Sequence, residues 1–262
     1  MPRIKPIDHE DRLSIVEHLD ELRSRLVICA FTFGLAFALC FWQNNRLLDI
    51  VNDPLGEGRQ PITLSPAEAF TTTMTVAAYF AILLAMPILL YHLYAFILPA
   101  FTPREKRVAR PLLLLIPLLF ICGVVFAYFV VIPAALDFLL DFNADQFQNE
   151  IRARDYYSFV AMTLLAMGGI FQVPVGILAA TKLGITNARK LRKNRRYAIL
   201  VIAIVAAALP GVDPVTMLIE MVPLLVLFEL SILLAALFGR PAAESEGDAD
   251  VLEPPVASAE GS

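Results

Sequence analysis

The sequence has few of the side chains that enzymes and metal proteins use at reactive sites. Its 262 residues include three histidines and three cysteines, and they form no HExxH, GxSxG, CxxC or phosphate-loop motif. Cys29 and Cys40 are eleven residues apart, which is about 16 Å along one helix and beyond the reach of a disulfide. The cysteines are therefore predicted to be free thiols, and the sequence predicts no metal, no cofactor and no catalytic centre.

Charged residues are also scarce, and their absence is concentrated in long runs. No charge occurs between Leu26 and Arg46, and 58% of the chain is hydrophobic, against about 45–50% in soluble domains. A helix of about 20 apolar residues crosses a hydrocarbon core about 30 Å thick. These runs predict an all-α polytopic membrane protein. Because mostly polar residues precede the first run, that run is predicted to be a retained span and not a cleaved signal peptide.

The apolar runs predict six transmembrane helices, of which the last two are short. They are Leu26–Trp42, Ala69–Pro103, Pro111–Leu136, Tyr156–Thr181, Tyr197–Leu209 and a final span that ends at Phe238. The sequence PGVDP reverses the chain before the last span, and Tyr156 and Tyr157 are read as membrane-interface anchors. The fifth span would rise only about 20 Å, so it must thin the bilayer or recruit neighbours. A re-entrant hairpin is the alternative.

The distribution of basic residues predicts the orientation. With the N-terminus inside, the inner segments hold seventeen lysines and arginines and the outer loops hold four, so both termini are expected in the cytoplasm. Residues 1–25 then form a cytoplasmic amphipathic helix, 26–238 the membrane domain, and 239–262 a disordered acidic tail. The net charge of −4 gives no indication of nucleic-acid binding, and the absence of an internal repeat weakens a transporter built from paired halves.

The segment EHLDELRSRL, which precedes the first span, combines acidic and apolar faces. Ile15, Leu19, Leu22 and Leu26 recur at helical spacing and form one apolar stripe. Its carboxylates project from the other side, and Glu21 has Arg25 four residues further on. Two interpretations remain open: the acidic face is only solvated, or it forms one arm of a pocket for an incoming cation.

Three polar residues fall within the later spans, where ionisable groups are costly. They are Gln172, Glu220 and Glu229. The two glutamates are nine residues apart, about 2.5 helical turns, so they are predicted to lie on opposite faces of one helix. A structural role and a transport role are equally compatible with each.

An ordered set of motifs resembles one family. It consists of HLDELRSRL, NDPL, YHLYAFILPAFTPREKR, FAYFVVIPAALDFL, FQVPV, LGITNARKLRKNRRY and the pattern D-x9-P-x5-E that ends at Glu229. Together these motifs resemble TatC, the large multi-span subunit of the twin-arginine protein translocase. The resemblance covers roughly residues 14 to 238, and six spans with both ends inside agree with it.

The resemblance implies a binding site at the cytoplasmic tip. In TatC-like proteins this tip binds the paired arginines of the signal peptide on a folded cargo, and the matching carboxylates here are Glu21 and Glu105. Two guanidinium groups are well served by separate carboxylates in bidentate, charge-assisted pairs. Arg23 and Phe96 match further positions that shape the tip.

The resemblance also implies positions and partners elsewhere. Pro54 and Asp213 match important positions on the periplasmic side. The expected partners are twin-arginine signal peptides, small single-span Tat subunits, further copies in a larger complex and the lipid bilayer. The expected location is the bacterial inner membrane, with export driven by the proton gradient.

Three departures from the family pattern raise a further hypothesis. Gln172 stands where many relatives have glutamate, and Pro210 and Met217 are apolar where some relatives have polar residues that contact partner subunits. Glu220, one turn beyond Met217, is a candidate for the missing polar contact.

Two other classes of protein compete with the receptor interpretation. A six-span secondary transporter would use the intramembrane polar residues for ions, and an intramembrane hydrolase would need a catalytic motif that the sequence lacks.

Overall fold

A computed structural model gives the architecture. It describes residues 10–56, 58–97, 103–142, 144–146, 150–182, 184–210 and 213–238, with side chains for 19–56, 58–96, 115–142, 144–146, 150–182, 184–210 and 213–237. Within these ranges the chain is helical, and its only β pairing is an isolated bridge between Ile62 and Arg152. The acidic tail from residue 239 onward lies outside the described residues, so its predicted disorder stays a prediction.

The described part of the chain contains ten α-helices. They are α1 Glu10–Trp42, α2 Asn44–Asn52, α3 Pro66–Ile97, α4 Pro103–Phe126, α5 Ile132–Asp141, α6 Ala153–Ile170, α7 Val173–Lys182, α8 Ala188–Lys193, α9 Arg195–Ala208 and α10 Pro214–Phe238. A short 3-10 helix, Asp53–Leu55, follows α2, and a π-helical turn, Ala127–Val131, joins α4 to α5.

The amphipathic segment and the first span form one continuous helix. α1 runs for 33 residues without a break, because no proline or turn signal separates the charged segment from the apolar run. Leu19, Leu22 and Leu26 of the predicted stripe are all exposed, so no other described part of the chain covers them.

Within the residues that the structure describes, five helical stretches are long and apolar enough to cross a membrane: Leu19–Trp42, Pro66–Phe96, Leu115–Asp141, Ala153–Lys182 and Pro214–Leu237. They match five of the six predicted spans. The fifth prediction corresponds to α9, which has 14 residues and rises about 21 Å.

The prediction that both of the last two spans are short is wrong for the final one. α10 has 25 residues. Pro214 at its first position starts the helix directly after the reversal, where a proline needs no hydrogen-bond partner. Pro223 lies inside α10 without ending it.

The helices pack in a connected series. α1 lies on α3, α3 contacts α4 and α6, α4 contacts α6, α7 packs on α10, and α9 packs chiefly on α10. The largest buried cluster joins α2, α3, α4 and α6 through Val51, Val76, Phe120, Val160 and Met167. Outside this core many large apolar side chains are exposed, including Phe31 and Trp42, which fits a lipid environment better than water.

Successive spans alternate in direction, which gives the bundle two ends. We call the end with residues 19–25, 91–96 and 188–196 the tip. The opposite end, with residues 43–56, 58–65, 141–142, 150–153, 209–210 and 213–214, is called the loop end. The three cysteines, which lie between these ends, are free thiols.

Two glycines set the close approach of α4 to α6. A Cβ on Gly168 would lie 2.5 Å from the Phe120 ring, and a Cβ on Gly123 would lie 2.7 Å from the Met167 carbonyl oxygen. A Cβ on the neighbouring Gly169 would meet no atom within 4 Å.

We therefore expect Gly168→Ala and Gly169→Ala to have different effects on the stability of the fold. Gly168→Ala should destabilise the fold by about 1–3 kcal/mol, because it overpacks the contact with Phe120. Gly169→Ala should be neutral or stabilising by up to about 1 kcal/mol through helix propensity. Thermal unfolding of the two variants in detergent measures the difference, and equal midpoints would show that α4 and α6 are not packed this closely.

Candidate functional site

The tip carries an ion pair that also ties two helices together. Arg25 donates through Nε to Glu21 Oε1 at 3.0 Å, and its Nη2 bonds to the same oxygen. Arg25 Nη1 lies 3.4 Å from His92 Nδ1 on α3. Arg25 therefore orients the Glu21 carboxylate while it links α1 to α3. Both side chains of the pair are only half-buried.

The structure brings the other predicted tip residues into one region only in part. Phe96 is half-buried near the end of α3, whereas Arg23 is exposed on α1. Glu105 lies in the first turn of α4, but its side chain is outside the described residues. The pairing of Glu21 with Glu105 around one ligand therefore stays a prediction.

At the loop end, two tyrosines hold the segment that contains Pro54. The Tyr128 hydroxyl donates to the Ile50 carbonyl at 2.7 Å, and the Tyr156 hydroxyl donates to the Val51 carbonyl. Pro54 is half-buried within the 3-10 helix that follows. The loop is therefore fixed on the ends of two spans.

This arrangement corrects the expected role of the tyrosine pair. Tyr156 and Tyr157 are both buried and do not act as membrane-interface anchors. Tyr156 turns inward because its hydroxyl reaches a loop carbonyl that needs a hydrogen-bond donor.

A buried carboxylate joins the two loops of the same end. Glu68 is almost fully buried and accepts from Arg152 Nε at 2.7 Å and from the Leu64 amide at 2.9 Å. The hydrogen bond to Glu68 raises the pKa of Arg152 above its usual range. Ile62 reinforces the junction, since its amide donates to the Ile151 carbonyl at 2.8 Å and its carbonyl accepts from the Ala153 amide at 2.8 Å. Nothing in the sequence pattern indicated this pair, whose members are 84 residues apart.

Asp213 caps the last span. Its Oδ1 accepts from the Thr216 amide at 2.7 Å and its Oδ2 accepts from the Thr216 hydroxyl at 2.6 Å. Both residues are buried. The carboxylate thus satisfies an orphan amide at the helix N-terminus, where a negative charge is also favoured.

The polar residues of the spans separate into interior and surface positions. Glu220 is completely buried, and neither of its carboxylate oxygens has a hydrogen-bond partner among the described residues. Gln172 is buried and donates to the Ile116 carbonyl at 3.2 Å. Glu229 is half-exposed and accepts from Arg195 Nη2 at 2.7 Å. The prediction that Glu220 and Glu229 lie on opposite faces is confirmed.

The burial of Glu220 contradicts the hypothesis that this residue supplies a polar contact to a partner subunit. Its side chain lies on the interior face of α10 with Thr216, Leu224, Leu227 and Ser231, so it offers no polar contact to a partner on the surface. The helical spacing of these residues, four, four, three and four positions apart, places them on one buried face.

Within the described ranges, no group of three or more histidine, cysteine, aspartate or glutamate side chains is arranged to hold an ion.

We expect the cap at Asp213 to contribute measurably to stability. Asp213→Ala should destabilise the fold by about 0.5–2 kcal/mol, because the Thr216 amide loses its acceptor. Asp213→Asn keeps an acceptor for that amide and should cost less. The exposed residue Asp53 provides the control: Asp53→Ala should leave the unfolding midpoint in detergent unchanged. Equal midpoints for Asp213→Ala and Asp53→Ala would contradict the capping role.

The chain matches one family and its members along most of its length. The family model described as Sec-independent protein translocase protein (TatC) matches residues 17–223. The TatC protein of Desulforapulum autotrophicum is 34% identical over 92% of this chain and 90% of its own length. That of Aquifex aeolicus is 35% identical over 87% of this chain and 97% of its own length.

A solved structure is similar in fold as well as in sequence. The crystal structure of the twin-arginine translocase receptor TatC superposes with a TM-score of 0.73 at 33% identity, covering 85% of this chain and 100% of that one.

Proposed function

Because the chain belongs to the TatC family of Sec-independent protein translocase proteins, we propose that it is the receptor subunit of the twin-arginine translocation system. As a member of that family it is a membrane-embedded component of the Tat protein-transport pathway and not an enzyme. In the proposed role it binds the twin-arginine signal peptides of folded cargo at the tip. The observation that carries this proposal is the Glu21–Arg25 pair, whose carboxylate already holds a guanidinium group.

The energetics of that pair favour exchange with a ligand. A partly exposed ion pair contributes about 0–1 kcal/mol, so an incoming arginine can share or replace Arg25 at little cost. A guanidinium with two aligned donors gains more from a carboxylate than an ammonium does. Glu105 would bind the second arginine of the signal, and Arg23 and Phe96 would shape the approach.

The proposed topology has six crossings with both termini in the bacterial cytoplasm. Five long apolar helices supply five crossings, and the short α9 supplies the remaining one. The basic residues of α8 and the start of α9 then lie on the cytoplasmic side with the tip, as the positive-inside rule favours. Pro54 and Asp213 lie at the opposite, periplasmic end.

The proposed assembly includes small single-span Tat subunits and further copies of the chain, with export driven by the proton gradient. Pro210 and Met217, both half-buried near the loop end of α9 and α10, would lie at the contact with the small subunits. This contact would be apolar, since Glu220 is directed into the interior. The transporter alternative loses support, because the two glutamates do not share one site. Glu229 pairs with Arg195 near the tip, whereas Glu220 lies on the buried face of α10.

A binding experiment with purified protein in detergent tests the receptor role. We expect a signal peptide with two arginines to bind at least tenfold more tightly than the same peptide with two lysines. Glu21→Gln and Glu105→Gln should each weaken binding of the arginine peptide by about 10- to 100-fold, the value of a charge-assisted hydrogen bond of about 1.5–3 kcal/mol.

Asp20→Asn serves as the matched control, because Asp20 is a neighbouring, exposed carboxylate on the same helix. It should leave both affinities unchanged. Equal affinity for the two peptides, with no effect of either glutamate variant, would mean that the acidic face is only solvated and would overturn the receptor proposal.

A further inference from the structure

A groove near the tip lies outside the site described above. It runs between α7 and α9 with α10 as its floor, and its volume is about 370 Å³. Its walls are almost entirely apolar and include Val173 and Ile177 of α7, Val201 and Val205 of α9, and Phe228 of α10. The groove exists because α9 packs chiefly on α10 and leaves space beside α7.

The tip end of the groove is polar. Lys190, Asn194 and Thr186 line it there, and Tyr197 follows at the start of the apolar wall. The groove therefore has long apolar walls and one cationic end.

Positive charge is concentrated around that end. α8 has four cations in six residues, ARKLRK. Among the described side chains no carboxylate pairs with these four, whereas Arg195 at the start of α9 has Glu229. An anionic ligand at Lys190 would offset the repulsion among these charges.

The length of the groove matches one leaflet of a bilayer. Its lining extends from Asn194, the N-cap of α9, to Val205 on that helix. This distance is about 16 Å along the helix axis, and half of a hydrocarbon core is about 15 Å. This length, together with the single cationic end, favours one hydrocarbon chain with an anionic headgroup as the occupant.

We propose that this groove binds an anionic phospholipid, with one acyl chain between α7 and α9 and the phosphate on Lys190. Basic pockets between transmembrane helices on the cytoplasmic side are general sites for anionic headgroups. The proposal depends on the orientation of the tip toward the cytoplasm and not on the receptor role. The bound acyl chain would also pack against the short α9 on the side that faces α7.

Native mass spectrometry of the delipidated full-length protein, titrated with phosphatidylglycerol or phosphatidylcholine, tests the proposal. We expect phosphatidylglycerol to bind at least tenfold more tightly. Lys190→Gln should remove that preference, whereas Lys193→Gln, on the same helix but outside the groove lining, should retain it. Excess inorganic phosphate should not displace the lipid, because the acyl chain holds it.

A second pair of variants tests the apolar part of the groove. Ala198 lines the groove, so Ala198→Phe should reduce binding of both lipids at least tenfold. Ala207 is exposed on α9 outside the lining, so Ala207→Phe should not. Size-exclusion profiles verify folding, and Lys190→Gln stands as an independent test should Ala198→Phe fail to fold.

Equal binding of the two lipids by the unaltered protein, or lipid binding unaffected by both Lys190→Gln and Ala198→Phe, would overturn the proposal. So would an Ala198→Phe variant that keeps its lipid but loses a co-purifying single-span subunit, since the groove would then be a helix-docking site. Twin-arginine peptide binding by the same preparations reports separately on the receptor role.

Discussion

Backbone hydrogen bonding in hydrocarbon is the constraint on which the rest of this structure depends. Without water, each unpaired amide or carbonyl costs several kcal/mol, so the spans must be helical and any irregularity must be compensated inside the protein. The π-helical turn of the third span begins and ends at buried residues, Ala127 and Val131. The break between α6 and α7 occurs at Gln172, whose side chain donates to the Ile116 carbonyl of α4. The break at Gln172 therefore lies where α4 covers it, whereas the π-helical turn, whose Phe129 and Val130 are exposed, keeps its backbone hydrogen bonds within the helix.

The need to pair buried backbone groups also explains why the two ends of the bundle differ. At the loop end, backbone groups are paired by buried side chains: Tyr156 binds the Val51 carbonyl, Glu68 the Leu64 amide and Asp213 the Thr216 amide. These contacts are shielded, and breaking one leaves a buried group unpaired. At the tip, the Glu21–Arg25 pair is half-exposed and can exchange partners cheaply. A fixed loop end and an exchangeable tip fit a protein that receives a charged ligand on one side only.

The sequence predicted the features that depend on local periodicity. Long apolar runs predicted five helices that the structure contains, and a separation of nine residues placed Glu220 and Glu229 on opposite faces. The features that it missed depend on contacts between distant segments. Arg152 and Glu68 carry no periodic signal, and the inward turn of Tyr156 depends on where Val51 lies. The last span was wrongly described as short, although its predicted limits, the PGVDP reversal and Phe238, are those of α10.

The proposed function requires that a twin-arginine signal binds at the tip, beside Glu21. Site-specific photo-cross-linking in membrane vesicles with a twin-arginine precursor tests this binding. A photoreactive residue would replace Leu22 at the tip or Leu64 at the loop end, both of which are exposed. We expect an adduct with the signal peptide from position 22 that disappears when the two arginines become lysines, and none from position 64. An adduct from position 64 alone, or one from position 22 that is indifferent to the arginines, would contradict the proposed function.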